Sequence, residues 1–484
     1  MKPNWAVAAL TLAGALLRLP TLGSQSLWLD ETLTGRLARG DLASLFDRLA
    51  IEEANPPLYY LAMWGWTRVA GFGDVALRLP SALCGIALIP VGYLLGSALG
   101  SRRAGVVLAA LLAANPLLVY YSQEARGYAA VALLVALGLL FFQRALQERP
   151  GRPLLWWAVC AVLALGVHWF AALPVLAEAV VLAWRRRRAA LPALAAVTAA
   201  AAALAPLALE QRSRGVSANV TDGVSLAERV KGVPTSWLVG ERGSAVANLE
   251  WGLAAIAAAA LALLALKLAG AERRRAATVA AVGGAGLLAL LAAAVLGADY
   301  VNNRNTIPLL VPLLAALAVA LSVRAAGNVG PGLAVGLCAG MAIAAITAQA
   351  DEGHERHDWR GVERSLGAAP AGGRAVILAP RFNDTPLRWY RDTLVPAPPE
   401  GLRVRTIDVV LTDVEQDPPP KGSLSTPPAP GFVQAGFRFR QRMFVARYVA
   451  REPSSVRPAD VDRWARAQLD PARGAGGAAT LDDR

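Results

Sequence analysis

The sequence predicts an all-α polytopic membrane protein of about eleven transmembrane helices, followed by a small carboxyl-terminal α/β domain on the extracytoplasmic side. Three observations carry this. Of 484 residues 55% are apolar and only 17% charged, a balance unlike that of a soluble enzyme. Apolar stretches of spanning length, or slightly below it, recur near 5–22, 76–99, 104–121, 127–146, 154–169, 170–184, 189–209, 250–268, 276–297, 306–324 and 330–349. After residue 350 the composition turns polar and short strand-like runs begin.

Lys and Arg number 48 against 35 Asp and Glu, a formal charge of +13. On a soluble domain this would suggest nucleic acid, but no basic face is interleaved with aromatics. The basic residues fall instead in short runs between apolar stretches, as cytoplasmic loops do, so the expected partner is a lipid bilayer and not nucleic acid. Cys84, Cys160 and Cys338 each lie inside an apolar stretch and read as small buried hydrophobes, with neither a disulfide framework nor a thiolate metal site indicated. Residues 5–22 follow a Lys but show no obvious small-residue cleavage site, which reads as an uncleaved first helix.

The stretch 56–72, PPLYYLAMWGWTRVAGF, either crosses or lies at the interface. If it lies among the headgroups, every basic run (Arg102–Arg103, Arg144 to Arg152, Arg185 to Arg188, Arg273 to Arg275, and Arg324) falls on one side. The positive-inside rule therefore chooses eleven crossings with the amino terminus in the cytoplasm, which requires 154–184 to be two short helices turning near His168. That topology gathers Asp30 and Glu31, the segment Glu52 to Asn55, Gln123 to Arg126, His168, the loop 210–248, and Asp299 to Asn305 on the outer face. A polar site at the outer membrane surface follows.

Taken in order, Asp30 and Glu31 open the outer loop 23–75, where Asp30 is either a functional carboxylate or the cap of a short helix. Residues 74–100 read as a helix entered through Pro80, with small residues that allow close packing. Glu124 and Arg126 stand two apart at a helix junction, as an interfacial ion pair or as functional groups that justify their cost at membrane level. His168 beside Trp169 reads as an interfacial hydrogen bonder before a metal ligand. Within 210–248, residues 226–239 carry a weak amphipathic pattern that suggests a surface helix. Arg304 sits at headgroup level, where its fork suits a phosphate, or where it snorkels. Residues 351–451 read as a soluble domain with strands at Ala375 to Ala379 and Ile407 to Leu411, and edge strands at Phe437 to Arg440 and Met443 to Val449. His354, His357 and Asp358 have spacing that could ligate a metal, and 452–484 is polar enough to be a disordered tail.

The blocks SLWLDE, NPPLYYL, ALRLPSALCGI, YYSQEARGYA and RNTIPLLVP, in this order over residues 5–325, resemble the polytopic GT-C glycosyltransferases. Within that group the likeness is to bacterial relatives of protein O-mannosyltransferases and of the lipid A aminoarabinose transferase. The resemblance implies inverting transfer of a hexosyl or pentosyl unit from a polyprenyl-phosphate donor to a hydroxyl acceptor (lipid, glycan or protein) at the outer face of the plasma membrane. It makes residues 1–350 the catalytic domain and Asp30 the base, with Glu31 supporting it. Arg304 and Arg126 are then expected at the donor phosphate, and Glu124, Asn55, Tyr59 and Asn305 at substrate. Some relatives bind a divalent cation; Glu31, Asn55 and His168 are the positions to consider here.

The chemistry agrees independently: a positioned carboxylate can take the proton of an attacking hydroxyl, and a cation can stabilise the departing phosphate. The competing class is a lipid or solute transporter, a flippase without glycosyl transfer. It predicts inverted repeats and broken, charged helices at mid-membrane, whereas no repeat is visible and Arg18 is the only charge well inside an early span.

Overall fold

The computed structural model describes residues 5–147, 151–215, 224–241, 243, 246–351, 356–381, 384–412, 426–440, 443–468 and 478–483. The chain divides into two compact units. One holds Met1–Leu22 and Thr34–Asp351, the other Gly23–Leu33 and Glu352–Arg484.

Each apolar stretch marked on the sequence contains a helix. In the helical unit these are α1 (Trp5–Leu16), α5 (Asp74–Leu99), α6 (Arg102–Ala114) with α7 (Pro116–Ser122), α8 (Tyr128–Gln147), α9 (Gly151–Val167), α10 (Ala172–Arg186), α11 (Leu191–Ser213), α13 (Leu249–Lys267), α14 (Gly270–Val295), α15 (Ile307–Leu321) and α16 (Val329–Ala350). Polar segments supply α2 (Leu29–Arg39), α3 (Leu42–Glu52), α4 (Leu58–Ala70) and α12 (Leu226–Val239). Among the described residues six helices are long and apolar enough to cross a membrane, or seven if the bent pair α6–α7 is one span. A 3₁₀ turn, Trp169–Ala171, separates α9 from α10, and another at Arg187–Ala190 separates α10 from α11. The helix read over 74–100 is α5, Asp74–Leu99, and Pro80 and Pro90 both lie inside it, so Pro80 is not its entry point.

The bend of 58° between α6 and α7 has an identifiable cause. Pro116 has no N–H to give the carbonyl of Leu112, so the last carbonyls of α6 lose their helical partners. Arg18 replaces them. Its side chain is fully buried, with Nη2 donating to Leu112 O, Nη1 to Ala113 O and Gly14 O, each at 3.0 Å, and Nε to Ser122 Oγ at 3.1 Å. The one charge noted inside an early span is thus a staple on a broken helix.

At one end of this unit Gln147 Nε2 and Arg275 Nη1, each beside a basic run, both donate to Ala98 O at the carboxyl end of α5. At the other end α12 is capped by Ser225, with Glu228 completing the capping box. Asn115 Nδ2 donates to Trp237 O at 2.8 Å, and Trp237 Nε1 donates to Thr306 Oγ1 at 2.9 Å, so α12 joins the helix break to the start of α15.

The second unit is a three-layer α/β/α domain. Its strands are β1 (Arg374–Ala379), β2 (Leu394–Pro396), β3 (Leu402–Leu411), β4 (Phe432–Arg440), β5 (Met443–Val456) and β6 (Ala479–Asp483), in the order β2-β6-β1-β3-β5-β4. Strands β1 and β3 are parallel and every other pairing is antiparallel. Alternate residues of β1 face opposite ways: Ala375 and Ile377 pack with α19 (Pro458–Gln468), while Val376 and Leu378 pack with α17 (Trp359–Leu366) and α18 (Asp384–Tyr390). Burial on both faces explains why β1 reads as an unbroken apolar run.

Two expectations change here. Met443 to Val449 lies in β5, an interior strand paired on both sides, whereas β4, which holds Phe437 to Arg440, is an edge strand. The tail is not disordered over its described part, because α19 covers one face and β6 inserts between β2 and β1. Low hydrophobicity misled the reading: Asp483 is fully buried, accepting from Arg374 at 3.0 Å, Arg391 at 2.8 Å and Thr393 at 3.1 Å. Cations supplied from far along the chain make an acidic strand end compatible with the interior.

Candidate active site

In the helical unit the centre of the polar end is an ion pair that sequence reasoning missed. Arg126 Nη1 lies 2.5 Å from Glu53 Oε2 and Nη2 donates to Glu53 Oε1 at 2.9 Å, with the side chains 5% and 2% exposed. Burial disfavours the Glu53 carboxylate, but the charge and hydrogen bonds of Arg126, with smaller help from Tyr60 and the Ala54 N–H, outweigh it. The net result is a pKa below the ordinary value. Asn55 Nδ2 donates to the same Oε1 at 3.0 Å, and the Tyr60 ring lies under the guanidinium at 5.8 Å.

The backbone around Arg126 is held from several elements. Its carbonyl accepts from Ser81 Oγ at 2.9 Å, its N–H donates to Glu124 O at 2.7 Å, and Tyr59 Oη lies 3.1 Å from Ser81 Oγ. Tyr59 and Glu124 are both buried. Gln211 Nε2 donates to Leu49 O and Asn55 O, and Trp169 Nε1 donates to Gln211 Oε1. Helices from five parts of the sequence thus converge on one polar cluster.

His168 sits in the turn between α9 and α10, buried, with its ring 5.3 Å from Tyr128 and 5.7 Å from Phe170. Its Nδ1 accepts from the Phe170 N–H at 3.3 Å, which puts the proton on Nε2. Burial first, then Arg126 and Arg304, lower its pKa to about 3, so it is a neutral donor. Those two influences also bring Arg304 into the same neighbourhood. Arg304 is half-buried in the 3₁₀ turn Asn303–Thr306, and Asn305 Nδ2 donates to Tyr300 O at 2.9 Å. Asp299, which precedes Arg304 in sequence, is paired instead with Arg229, whose Nη1 lies 2.9 Å from Asp299 Oδ1.

The acidic motif belongs to the other unit. Asp30 is the second residue of α2 and half-buried; it stands inside the first turn, so it is not the helix cap. Glu31 is fully buried, with Oε2 accepting from the Trp28 N–H at 3.3 Å and lying 3.7 Å from Arg356 Nη1.

Of the three positions considered for a cation, His168 spends Nδ1 on the backbone and Asn55 is turned to Glu53. Among the described residues no group of three His, Cys, Asp or Glu is placed to hold a metal ion. Among the described residues these positions therefore form no cation site, and no step is routed through one. His354 lies outside the described residues, while His357 packs edge-on against Trp359.

The missed Glu53 was visible as charge in the segment Glu52 to Asn55, but nothing local indicated that it pairs with a residue 73 positions away.

The family model for dolichyl-phosphate-mannose-protein mannosyltransferase matches residues 54–209, the part of the chain that carries Asn55, Tyr59, Glu124, Arg126 and His168. No curated protein matches the chain in sequence. The fold is similar to that of ArnT from Cupriavidus metallidurans in the apo state, with a TM-score of 0.56, 13% identity, and 92% of this chain and 98% of that one covered. The same protein bound to undecaprenyl phosphate gives a TM-score of 0.52 at the same identity and coverage. In its motifs and in its fold, the chain resembles the GT-C superfamily of membrane glycosyltransferases.

Proposed function

We propose that the protein is an inverting glycosyltransferase that moves a sugar from a polyprenyl-phosphate donor to a hydroxyl acceptor at the outer surface of the plasma membrane. The observation that carries this is the fold likeness to ArnT along nearly the whole of both chains, together with the mannosyltransferase match over 54–209. Undecaprenyl phosphate bound to ArnT supports a polyprenyl carrier here. A half-buried Asp30 beside a fully buried Glu31 suits one carboxylate for reaction and one for positioning.

The reaction is a single displacement. Asp30 takes the proton of the acceptor hydroxyl as its oxygen attacks the anomeric carbon. The bond from that carbon to the phosphate oxygen breaks, and polyprenyl phosphate leaves with the electron pair, inverting the centre. Charge builds on the phosphate, where Arg304 stabilises it. Arg126 is assigned a smaller part than the sequence suggested, because both its terminal nitrogens are engaged by Glu53. The phosphate is a good leaving group and needs no strong general acid.

We read the helices as eleven crossings with the amino terminus cytoplasmic and α4 interfacial. Support comes from Arg275, in one of the basic runs, which reaches Ala98 O at the end of α5 opposite to Ser81, the residue that bonds the Arg126 carbonyl. Under this reading the site faces outward.

The deciding experiment measures release of polyprenyl phosphate from a panel of polyprenyl-phosphate sugars by the full chain with membrane extract, wild type against Asp30→Asn. Turnover lost only in the variant is the expected result. Equal turnover removes Asp30 as base. No release from any donor, with a labelled lipid crossing vesicles that contain the wild type, would instead make the protein a transporter.

A further inference from the structure

Six residues in and just before the SLWLDE motif, Gly23 to Leu27 and Glu31, are tied by hydrogen bonds and an ion pair to a segment more than 320 positions later in the chain. Arg360 Nη2 donates to Gly23 O at 3.0 Å and Ser24 O at 2.6 Å. The Arg360 N–H donates to Ser26 Oγ at 3.0 Å, and that hydroxyl donates to Asp358 Oδ1 at 3.3 Å. The Arg356 N–H donates to Gln25 Oε1 at 3.2 Å, and the Leu27 N–H donates to Tyr390 Oη at 2.6 Å. Arg356 Nη1 then reaches Glu31, and both of these side chains are buried. This is why Gly23–Leu33 groups with the carboxyl-terminal unit.

We propose that the carboxyl-terminal domain is the positioning element of the catalytic loop: Arg356, Arg360 and Tyr390 hold the backbone before α2 and set the direction in which Asp30 faces. The inference rests on the glycosyltransferase reading with Asp30 as base. Successive residues of a helix point about 100° apart, so burying Glu31 against Arg356 fixes the rotation of the first turn and with it the face that carries Asp30. Arg360 and Tyr390 act one step earlier. They fix the carbonyls of Gly23 and Ser24 and the amide of Leu27, which sets where the helix begins. The targets are mixed: the carbonyls of Gly23 and Ser24 and the amide of Leu27 are backbone, whereas Gln25, Ser26 and Glu31 take part through their side chains. A base that must meet a hydroxyl at hydrogen-bond distance gains from such restraint, because small misplacements are costly in rate. None of the three residues needs to touch substrate; each acts through the loop.

The test uses the full chain with Arg360→Ala, Tyr390→Phe, Arg356→Gln and Arg356→Lys. Amide hydrogen exchange is followed in peptides covering 23–33 and, as a control for domain integrity, in β1. Turnover is resolved into kcat and KM for a polyprenyl-phosphate sugar. Expected are at least tenfold faster exchange in 23–33 with β1 unchanged, a tenfold or greater fall in kcat with KM for donor within twofold, and retention of most activity by Arg356→Lys but not Arg356→Gln. Unchanged exchange in 23–33, or faster exchange with wild-type kcat, overturns the proposal. Asp30→Asn is run alongside: its full turnover would overturn the base assignment and the inference together, whereas its loss of turnover beside a fully active Arg360→Ala overturns the positioning role alone.

Discussion

Replacing Glu53 by Gln should unfold the helical unit at a distinctly lower temperature. The change keeps the shape of the side chain but leaves Arg126 buried without its counter-charge, where both partners are at most 5% exposed and two contacts of 2.5 and 2.9 Å are at stake. Breaking a buried pair from one side costs about 3–5 kcal/mol. At roughly 2 °C per kcal/mol for a domain of this size, the midpoint falls by about 6–10 °C. Thermal unfolding of the full chain in one detergent at pH 7 measures it. The companion double variant, Glu53→Gln with Arg126→Gln, should recover about 2 kcal/mol relative to the sum of the singles, since no charge is left unpaired. pH supplies a second check. The folded-state pKa of Glu53 lies below its ordinary 4.5, so the unfolded chain binds more protons in that window and stability there rises with pH. The advantage of wild type over Glu53→Gln should be full above the unfolded value and fade as pH falls through the lowered one. A single variant within a degree of wild type, or strictly additive singles, would refute the reasoning.

Other expectations follow from separate parts of the molecule. Arg304→Gln should lower kcat about 100-fold if the guanidinium meets charge developing on the phosphate, whereas a snorkelling Arg would leave kcat unchanged; steady-state kinetics with a polyprenyl-phosphate sugar decides. The same Gly→Ala substitution should act with opposite signs at two sites in thermal unfolding. At Gly96 the new Cβ would stand 2.6 Å from the backbone oxygen of Ala104 in α6, a cost of about 1–3 kcal/mol. At Gly65 in α4 nothing lies within 4 Å, and Ala should stabilise by about 0.5–1 kcal/mol. Asp483→Ala should destabilise the carboxyl-terminal unit by about 3–5 kcal/mol, because Arg374 and Arg391 both lose a buried partner; faster amide exchange in β1 and β2 is the readout, and unchanged exchange counts against it.

How much could be read without a structure varied by element. The helix at Leu226–Val239 was legible from a local signal, its weak amphipathic pattern, and the structure adds the reciprocal cap of Ser225 and Glu228. The turn at His168 followed from the charge count, which required 154–184 to be two short helices, and the structure has a 3₁₀ turn at Trp169–Ala171. Arg18 was noticed but not understood, since its acceptors are carbonyls orphaned by a proline about a hundred residues away. Strand β6 was misjudged because its acceptability in a sheet depends on arginines elsewhere.

By itself the sequence determined the membrane character, the positions of the apolar helices, the sign of charge between them, and a motif order that points to a glycosyltransferase. Each of these depends on composition and on interactions within a turn or two of the chain. Only the tertiary structure decided that Glu53 pairs with Arg126, that an acidic strand completes the sheet, and that Glu31 and Leu27 are held by Arg356 and Tyr390. Those outcomes rest on charges taken out of water together. Whether such a pair is stable depends on the burial of both members, and burial is a property of the assembled fold, not of either stretch of sequence.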